Sequence, residues 1–258
     1  MPLKPTADAF QPADLPASGR VIQPILWQTI ERWHDSSSEI GSWEDVCRLL
    51  PARQSGWSAL VERIQAINAF QWWEEDRSRD PEASDPTLAA VKRSIDASNR
   101  RRVQAVEAFD EHIHLRLQES GLLSQDAPLH SESPGSIVDR LSILALKIFH
   151  LKQTLAQERR QPTAPTSATK PPAEMEAATP PGSVAARYER TDGGAAEDTR
   201  LAALYQRLRG LLEQMVDLTE CLDRYLAGLM SGRVGMKLYR QVKVYRDFKS
   251  GQLHSDHV

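Results

Sequence analysis

The run Ser131-Glu132-Ser133-Pro134-Gly135-Ser136-Ile137-Val138-Asp139-Arg140-Leu141 places an acid and a base in the opening turns of an otherwise apolar helix. Ser133 suits the N-cap and Pro134 the first helical position, and the amides that follow have no partner within the helix. Such a start offers N–H groups and a positive dipole end to an anion such as a phosphate, and Arg140 adds a forked donor. Glycine at 135 would let a ligand approach the backbone. Ser136, Asp139, Arg140, Lys147 and His150 share one side of this helix. The same arc would serve equally well as a solvated stripe, with Asp139 favoured by the helix dipole alone.

A basic cluster near the C-terminus comprises Arg233, Lys237, Arg240, Gln241, Lys243 and Arg246, interleaved with Tyr239 and Tyr245. Read as a helix, it puts Lys237, Arg240, Gln241 and Val244 on one face, which could grip a diphosphate or an acidic partner. Charge runs are more commonly solvated faces. An acidic constellation lies earlier in the chain. Asn68, Trp72, Glu75 and Asp76 occupy neighbouring turns of one helix, and Asp96, Asn99 and Asp110 belong to the next. Carboxylates converging from two antiparallel helices would suit a hard cation such as Mg²⁺, with Glu75, Asp76, Asp96 and Asn99 as candidate ligands. No ExxE or ExxH pair repeats, so a hydrogen-bond network that sets helix register is the commoner outcome. Asn99 falls between Ile95 and Val103 in an apolar stripe and needs a partner, because an unsatisfied buried amide costs about 1–3 kcal/mol.

Little else suggests chemistry. His112 and His114 are two apart, which points them to different sides of a helix. There is no Ser-His-Asp order, Walker loop, dinucleotide fingerprint or internal repeat. All six tryptophans lie between positions 27 and 73. They read as core anchors of the N-terminal elements ahead of a sugar-stacking platform.

The elements that must position these groups read as helical. Residues 1–23 carry four prolines and little periodicity, so a disordered arm is expected there. Helical spacing runs from Pro24, with a capping box at Ser42 and Asp45, a helix over Ser58–Arg79, and another from Thr87 to about Glu119, closed by Gly121. The helix after Pro134 carries the widest apolar surface and reads as the centre of a bundle. Residues 161–196 are rich in Pro, Ala and Thr and read as a linker or insertion. Leu201, Leu204, Leu208, Leu211, Met215, Leu218, Leu222, Tyr225 and Leu229 form a heptad-like seam. Met236–Phe248 contains a short period-two pattern at Val242-Lys243-Val244. Helix is preferred there because no pairing partner is evident. The expected fold is therefore an all-α bundle of about five or six helices. Its domain would comprise residues 24–160 and 197–248, with a tail over 249–258.

A formal net charge of −3 over 258 residues argues against a nucleic-acid binder. The two cysteines, Cys47 and Cys221, form no CxxC pair, as in a reducing compartment. No signal peptide and no transmembrane segment are expected, so the cytoplasm is the expected address.

Several ordered motifs resemble a bacterial family. They are Trp27-Gln28 with Trp33-His34; Trp72-Trp73-Glu74-Glu75-Asp76 with Arg79-Asp80; Lys92-Arg93-Ser94-Ile95-Asp96 with Asn99 and Arg102; the 131–143 run; and Met236-Lys237-Leu238-Tyr239-Arg240-Gln241. The family is the domain of unknown function numbered four-two-five-four. The resemblance spans about Ile25–Tyr245 apart from the Pro-rich segment. Departures fall at Ser133, where threonine is expected, and after Tyr245, where Arg246-Asp247-Phe248 replaces an asparagine-aspartate-proline pattern. The resemblance implies a helical cytoplasmic protein associated with lipopolysaccharide or other surface-polysaccharide gene clusters, and carries no activity and no catalytic residue. The leading expectation is an accessory protein of surface-polysaccharide synthesis that binds a phosphorylated sugar or nucleotide-sugar through Glu132, Asp139, Arg140, Lys237, Arg240 and Gln241, and that works with polysaccharide-synthesis proteins. Two others stand beside it: a Mg²⁺-dependent phosphoester or diphosphate hydrolase or transferase, and a helical protein-interaction module.

Overall fold

The computed structural model describes residues 15–16, 18–124, 126–160, 192–246 and 253–257. The expected arm at 1–23 and linker at 161–196 lie largely outside these residues. Helices carry the fold: α1 (Gly19–Ser36), α2 (Trp43–Leu49), α3 (Gly56–Arg77), α4 (Asp85–Glu119), α5 (Pro134–Glu158) and α6 (Asp192–Met230). A C-terminal hairpin follows, β1 (Val242–Arg246) and β2 (Leu253–His257). Among the described residues no helix is long and apolar enough to cross a membrane. The chain divides into two compact units, one of Met1–Lys147 with Glu213–Val258 and one of Ile148–Leu212.

In the larger unit, α1 begins at Gly19, five residues before the start expected at Pro24. The Ser18 side chain is the cap, accepting from the Arg20 amide, and Pro24 lies inside the helix. Ile22 continues the apolar stripe of Leu26, Ile30 and Trp33, all of them buried, so the helix gains area by starting early. The opening of α1 also packs on α6. The Gly19 amide donates to the Asp223 carboxylate, and Gln23 donates to Thr219 Oγ1 at 2.8 Å. The capping box of α2 forms as expected: the Ser42 hydroxyl accepts from the Asp45 amide at 3.2 Å and the Asp45 carboxylate from the Gly41 amide at 3.1 Å.

Helices α3 and α4 run antiparallel, with Gly56 facing His112 and Gln71 bonded to Asn99. Ser84, one residue before the expected Asp85-Pro86 entry, caps α4. The N-terminal half of α5 is the most apolar surface in the unit, with Ile137, Val138, Leu141, Ala145 and Leu146 all buried. A buried Leu or Ile contributes about 1.5–3 kcal/mol, so this stripe sets where the α5 polar residues must lie. Of the tryptophans, Trp33 is buried and the other five are half-buried, and Trp33, Trp43 and Trp73 pack around Phe70. The core reading therefore holds fully for one indole only.

The helix expected over Met236–Phe248 is not formed. α6 ends at Met230, Gly232 takes a φ of 68°, and the Arg233 and Val234 amides both donate to Gly228 O at 2.9 and 3.2 Å. Gly228 must lack a side chain, because a Cβ would meet Val234 Cγ2 at 2.7 Å. Residues 235–241 are extended, and β1 pairs antiparallel with β2, Val242 opposite His257. The partner strand comes from the expected tail. The period-two pattern has its partners seven to fifteen residues downstream, at a distance that local reading did not consider. Lys237, Arg240 and Gln241 therefore lie along an extended strap and not on a helical face.

In the smaller unit, Arg200 pairs with Glu158 at 2.6 Å and the Arg159 guanidinium sits 5.3 Å above the Tyr205 ring. These contacts join the end of α5 to the start of α6. The seam residues Leu201, Leu204, Leu208 and Leu211 are half-buried, in keeping with the heptad pattern.

Two core residues, Gln65 and Ser98, depart from the rule that buried polar groups are bonded. Gln65 on α3 is 0 % exposed, and neither its Oε1 nor its Nε2 has a partner among the described residues. Gln65→Met removes two unsatisfied groups at similar volume and is expected to stabilise the fold by about 1–2 kcal/mol in urea unfolding. A lowered midpoint would show that the amide is satisfied in solution.

Candidate functional site

The start of α5 is held from outside its own helix. Ser133 accepts from the Ser136 amide at 3.2 Å, as an N-cap should. The Gly135 amide donates to Asp110 Oδ1 on α4 at 2.7 Å, inside the protein. An internal carboxylate thus occupies the place where the sequence suggested an incoming anion. Gly135 is required for this approach: a Cβ would lie 2.7 Å from Val106 O and 2.9 Å from Asp110 Oδ1. The glycine lets a protein carboxylate, and not a ligand, come close to the backbone.

Asp110 is 7 % exposed. Burial pushes its carboxyl up to about 6, against the hydrogen bonds from the Ser133 hydroxyl and the Gly135 amide, and Glu107 adds a smaller upward push. The Ser133 and Ser136 hydroxyls lie 3.0 Å apart, and either can donate to the other. Tyr225, on the α6 seam, is pushed up to about 12 by burial and then by the Asp110 charge. His130 stacks on its ring at 4.4 Å and 21°. A raised carboxyl beside a cleft is a recognised mark of functional sites, though structural networks also produce it.

The strap passes over this point. The Gly235 amide donates to Pro128 O at 3.0 Å, which docks the strap on the loop leading into α5. Arg240 meets Glu111 at 2.6 Å, and the Gln241 amide donates to Glu107 Oε1 at 2.7 Å. Between strap, α4 and the start of α5 lies a cavity of about 300 Å³, whose wall includes Glu107, Asp110, Glu111, Glu132, Ser131, Ser133, Ser136, Lys237, Tyr239, Arg240 and Gln241. Lys237 enters no ion pair among the described residues. A neighbouring groove of about 580 Å³ shares Glu132 and runs along Ile137, Arg140, Leu144, Lys147, Asp217 and Leu218.

The structure therefore gathers Glu132, Lys237, Arg240 and Gln241 around one cavity. Arg140 is joined to them through Glu132, which it grips with one guanidinium nitrogen at 2.8 and 2.9 Å, and it faces the adjoining groove. This pair is exposed enough to be worth no more than about 1 kcal/mol. Asp139 is not with them. It accepts from Asn68 Nδ2 at 2.9 Å, and the same nitrogen donates to Ser142 Oγ at 2.9 Å, joining α3 to α5.

The four expected metal ligands are not brought together. Asp76 pairs with Arg79, just past the end of α3, at 2.9 Å, and Asp96 with Lys92 within α4. Glu75 is half-buried nearby, and Asn99 accepts from Gln71 Nε2 at 3.1 Å. Among the described residues no group of three or more His, Cys, Asp or Glu side chains is placed to hold a metal ion. The i,i+3 and i,i+4 partners neutralise these carboxylates locally, and the amide contact is the register network that the apolar setting of Asn99 called for.

Sequence reasoning grouped Asp110 with Asp96 and Asn99, but it belongs to the α5 start. Glu107, Asp110 and Glu111 share one face of α4 by their i, i+3, i+4 spacing, a signal present in the sequence. His130 and Tyr225 carry no local signal, since their contact joins a loop to a distant helix.

Residues 58–171 match the model of the family described as Protein of unknown function (DUF4254), the family its motifs resemble. No curated protein and no solved structure matches the chain.

Two expectations follow from the α5 start. The folded Asp110 carboxyl titrates near 6 and an unfolded one near 3.8, so the native state holds the proton more tightly. The resulting stabilisation is complete below about 3.8, fades as pH rises through 6 and is gone above it. Urea unfolding from pH 4 to 7 should show wild type losing up to about 3 kcal/mol relative to Asp110→Asn. Parallel curves would contradict this account. Gly135→Ala should cost about 1–3 kcal/mol through the clash with Val106 and Asp110, and an unchanged urea midpoint would mean that α5 shifts freely.

Proposed function

Because the family that residues 58–171 match is one of unknown function, the match brings no activity with it, and we propose a role from the geometry of the α5 cavity. The reading is a cytoplasmic accessory protein of surface-polysaccharide synthesis that binds a phosphorylated sugar or nucleotide-sugar. The surface-polysaccharide setting, with synthesis proteins as partners, rests on the family resemblance. The binding chemistry rests on one observation: Lys237 and Arg240 share a cavity wall with several carboxylates and three serines.

Lys237 is the cation available to a phosphate, and Arg240 can turn its fork from Glu111 to a second oxygen. Carboxylates outnumber cations here, so a bare phosphate meets repulsion. A ligand that also carries hydroxyls can donate them to Glu132 and Glu107, which turns those carboxylates from a cost into contacts. The cavity volume of about 300 Å³ is at the low end for ligand pockets and suits a sugar phosphate. A nucleotide-sugar would extend past Glu132 into the groove of about 580 Å³.

The test is thermal stability with glucose 1-phosphate, UDP-glucose and inorganic phosphate. At about 100-fold excess over Kd a bound ligand stabilises by roughly 2.7 kcal/mol, which gives a clear rise in Tm. The sugar phosphate or nucleotide-sugar should raise Tm, inorganic phosphate should not, and Lys237→Ala should abolish the rise. No shift with any of the three, or an equal shift in Lys237→Ala, would defeat the proposal.

A further inference from the structure

A separate cavity of about 290 Å³ opens between the start of α2, the C-terminal half of α3 and the N-terminal half of α4. Glu74, Arg77, Arg101 and Ser94 form its polar wall, with Trp43 and Val91 on the apolar side. Glu44 stands exposed at its rim. It shares no residue with the α5 cavity.

Glu74 is 3 % exposed, an uncommon place for a carboxylate. Arg77 meets its Oε2 at 3.2 Å, from a guanidinium side chain that is itself 42 % exposed. A carboxylate offers about four acceptor positions, so one arginine leaves capacity for more donors. Since Arg77 already answers the charge, Glu74 calls for neutral donors such as hydroxyls and not for a second cation.

Arg101 differs from the arginines of this protein that are held in ion pairs. Arg32, Arg48, Arg79, Arg116, Arg140, Arg224 and Arg240 each meet a carboxylate. Arg101 enters no ion pair among the described residues. Its guanidinium carbon lies 5.0 Å above the Trp43 ring. An arginine laid on an indole has given up much of its rotamer freedom before a ligand arrives, and its forked edge remains available. Trp43 is itself fixed edge-on to Phe70 at 5.8 Å, and Phe70 is packed by Trp33 and Trp73. The wall is therefore preorganised.

We infer that this cavity is a binding site for a polyhydroxylated carboxylate, with a single hexuronate unit as the fitting class. The ligand carboxylate would take the Arg101 fork, its hydroxyls Glu74 and Ser94, and its C–H face the side of Trp43 and Val91. The volume of about 290 Å³ suits one sugar ring. Two parallel bonds from Arg101 are open to a carboxylate and closed to a neutral sugar, which sets the selectivity.

The full-length protein is titrated with sodium D-glucuronate, D-glucose and sodium acetate at matched ionic strength, and tryptophan emission is followed. Glucuronate should produce a saturable change, glucose should bind about tenfold or more weaker, and acetate should produce none. Arg101→Gln should weaken glucuronate binding by about tenfold or more with circular dichroism and Tm unchanged, and Glu74→Gln should weaken both sugars. Lys237→Ala should leave the response intact, which keeps this site and the α5 cavity distinguishable. If Glu74→Gln does not fold, Arg101→Gln carries the test. The inference is overturned by an emission change that does not saturate, by equal responses to glucuronate and acetate, or by wild-type affinity in Arg101→Gln.

Discussion

The buried carboxylate of Asp110 fills the position that water or an anion would hold at the first turn of α5. Everything around the α5 cavity depends on that contact. It sets α5 against α4 through a glycine that has no room for a methyl group, beside the paired hydroxyls of Ser133 and Ser136. Burial makes the contact costly for a charged group, and the helix dipole and two donors offset only part of that cost. The α5 start is therefore sensitive to protonation in a way that an ordinary serine cap is not.

The two ends of the larger unit are secured by different means. Near the α5 start, the strap is tied by charged and backbone contacts at exposed positions, Arg240 to Glu111 and Gln241 to Glu107. Such contacts are individually weak in water. Deeper in the unit, Asn68 links Asp139 and Ser142, and Gln71 links to Asn99. Those amides sit where a missing partner costs more than a surface pair gains, so they specify helix register.

Charge is largely answered inside the molecule. Asp76, Asp96 and Glu132, which read as metal ligands or ligand contacts, each meet a basic side chain. Lys237 and Arg101 enter no ion pair among the described residues, and each lines a cavity beside carboxylates.

By itself the sequence determined the six helices, the caps of α2 and α5 and the buried faces, because turn spacing and capping are properties of neighbours a few residues apart. The Ser42 box, the glycine closing α4, the wide apolar face of α5 and the seam containing Met215, Leu222 and Leu229 were all legible on that basis. Only the tertiary structure decided that Asp110 serves α5 and that Asp139 turns toward Asn68. The same holds for Val242–Arg246, which is a strand paired with Leu253–His257. Those outcomes join residues far apart in the chain, and they follow from which helix faces the larger apolar surfaces bring together. A carboxylate's partner is chosen after that packing, by proximity in space, and its own neighbours in sequence carry no record of it.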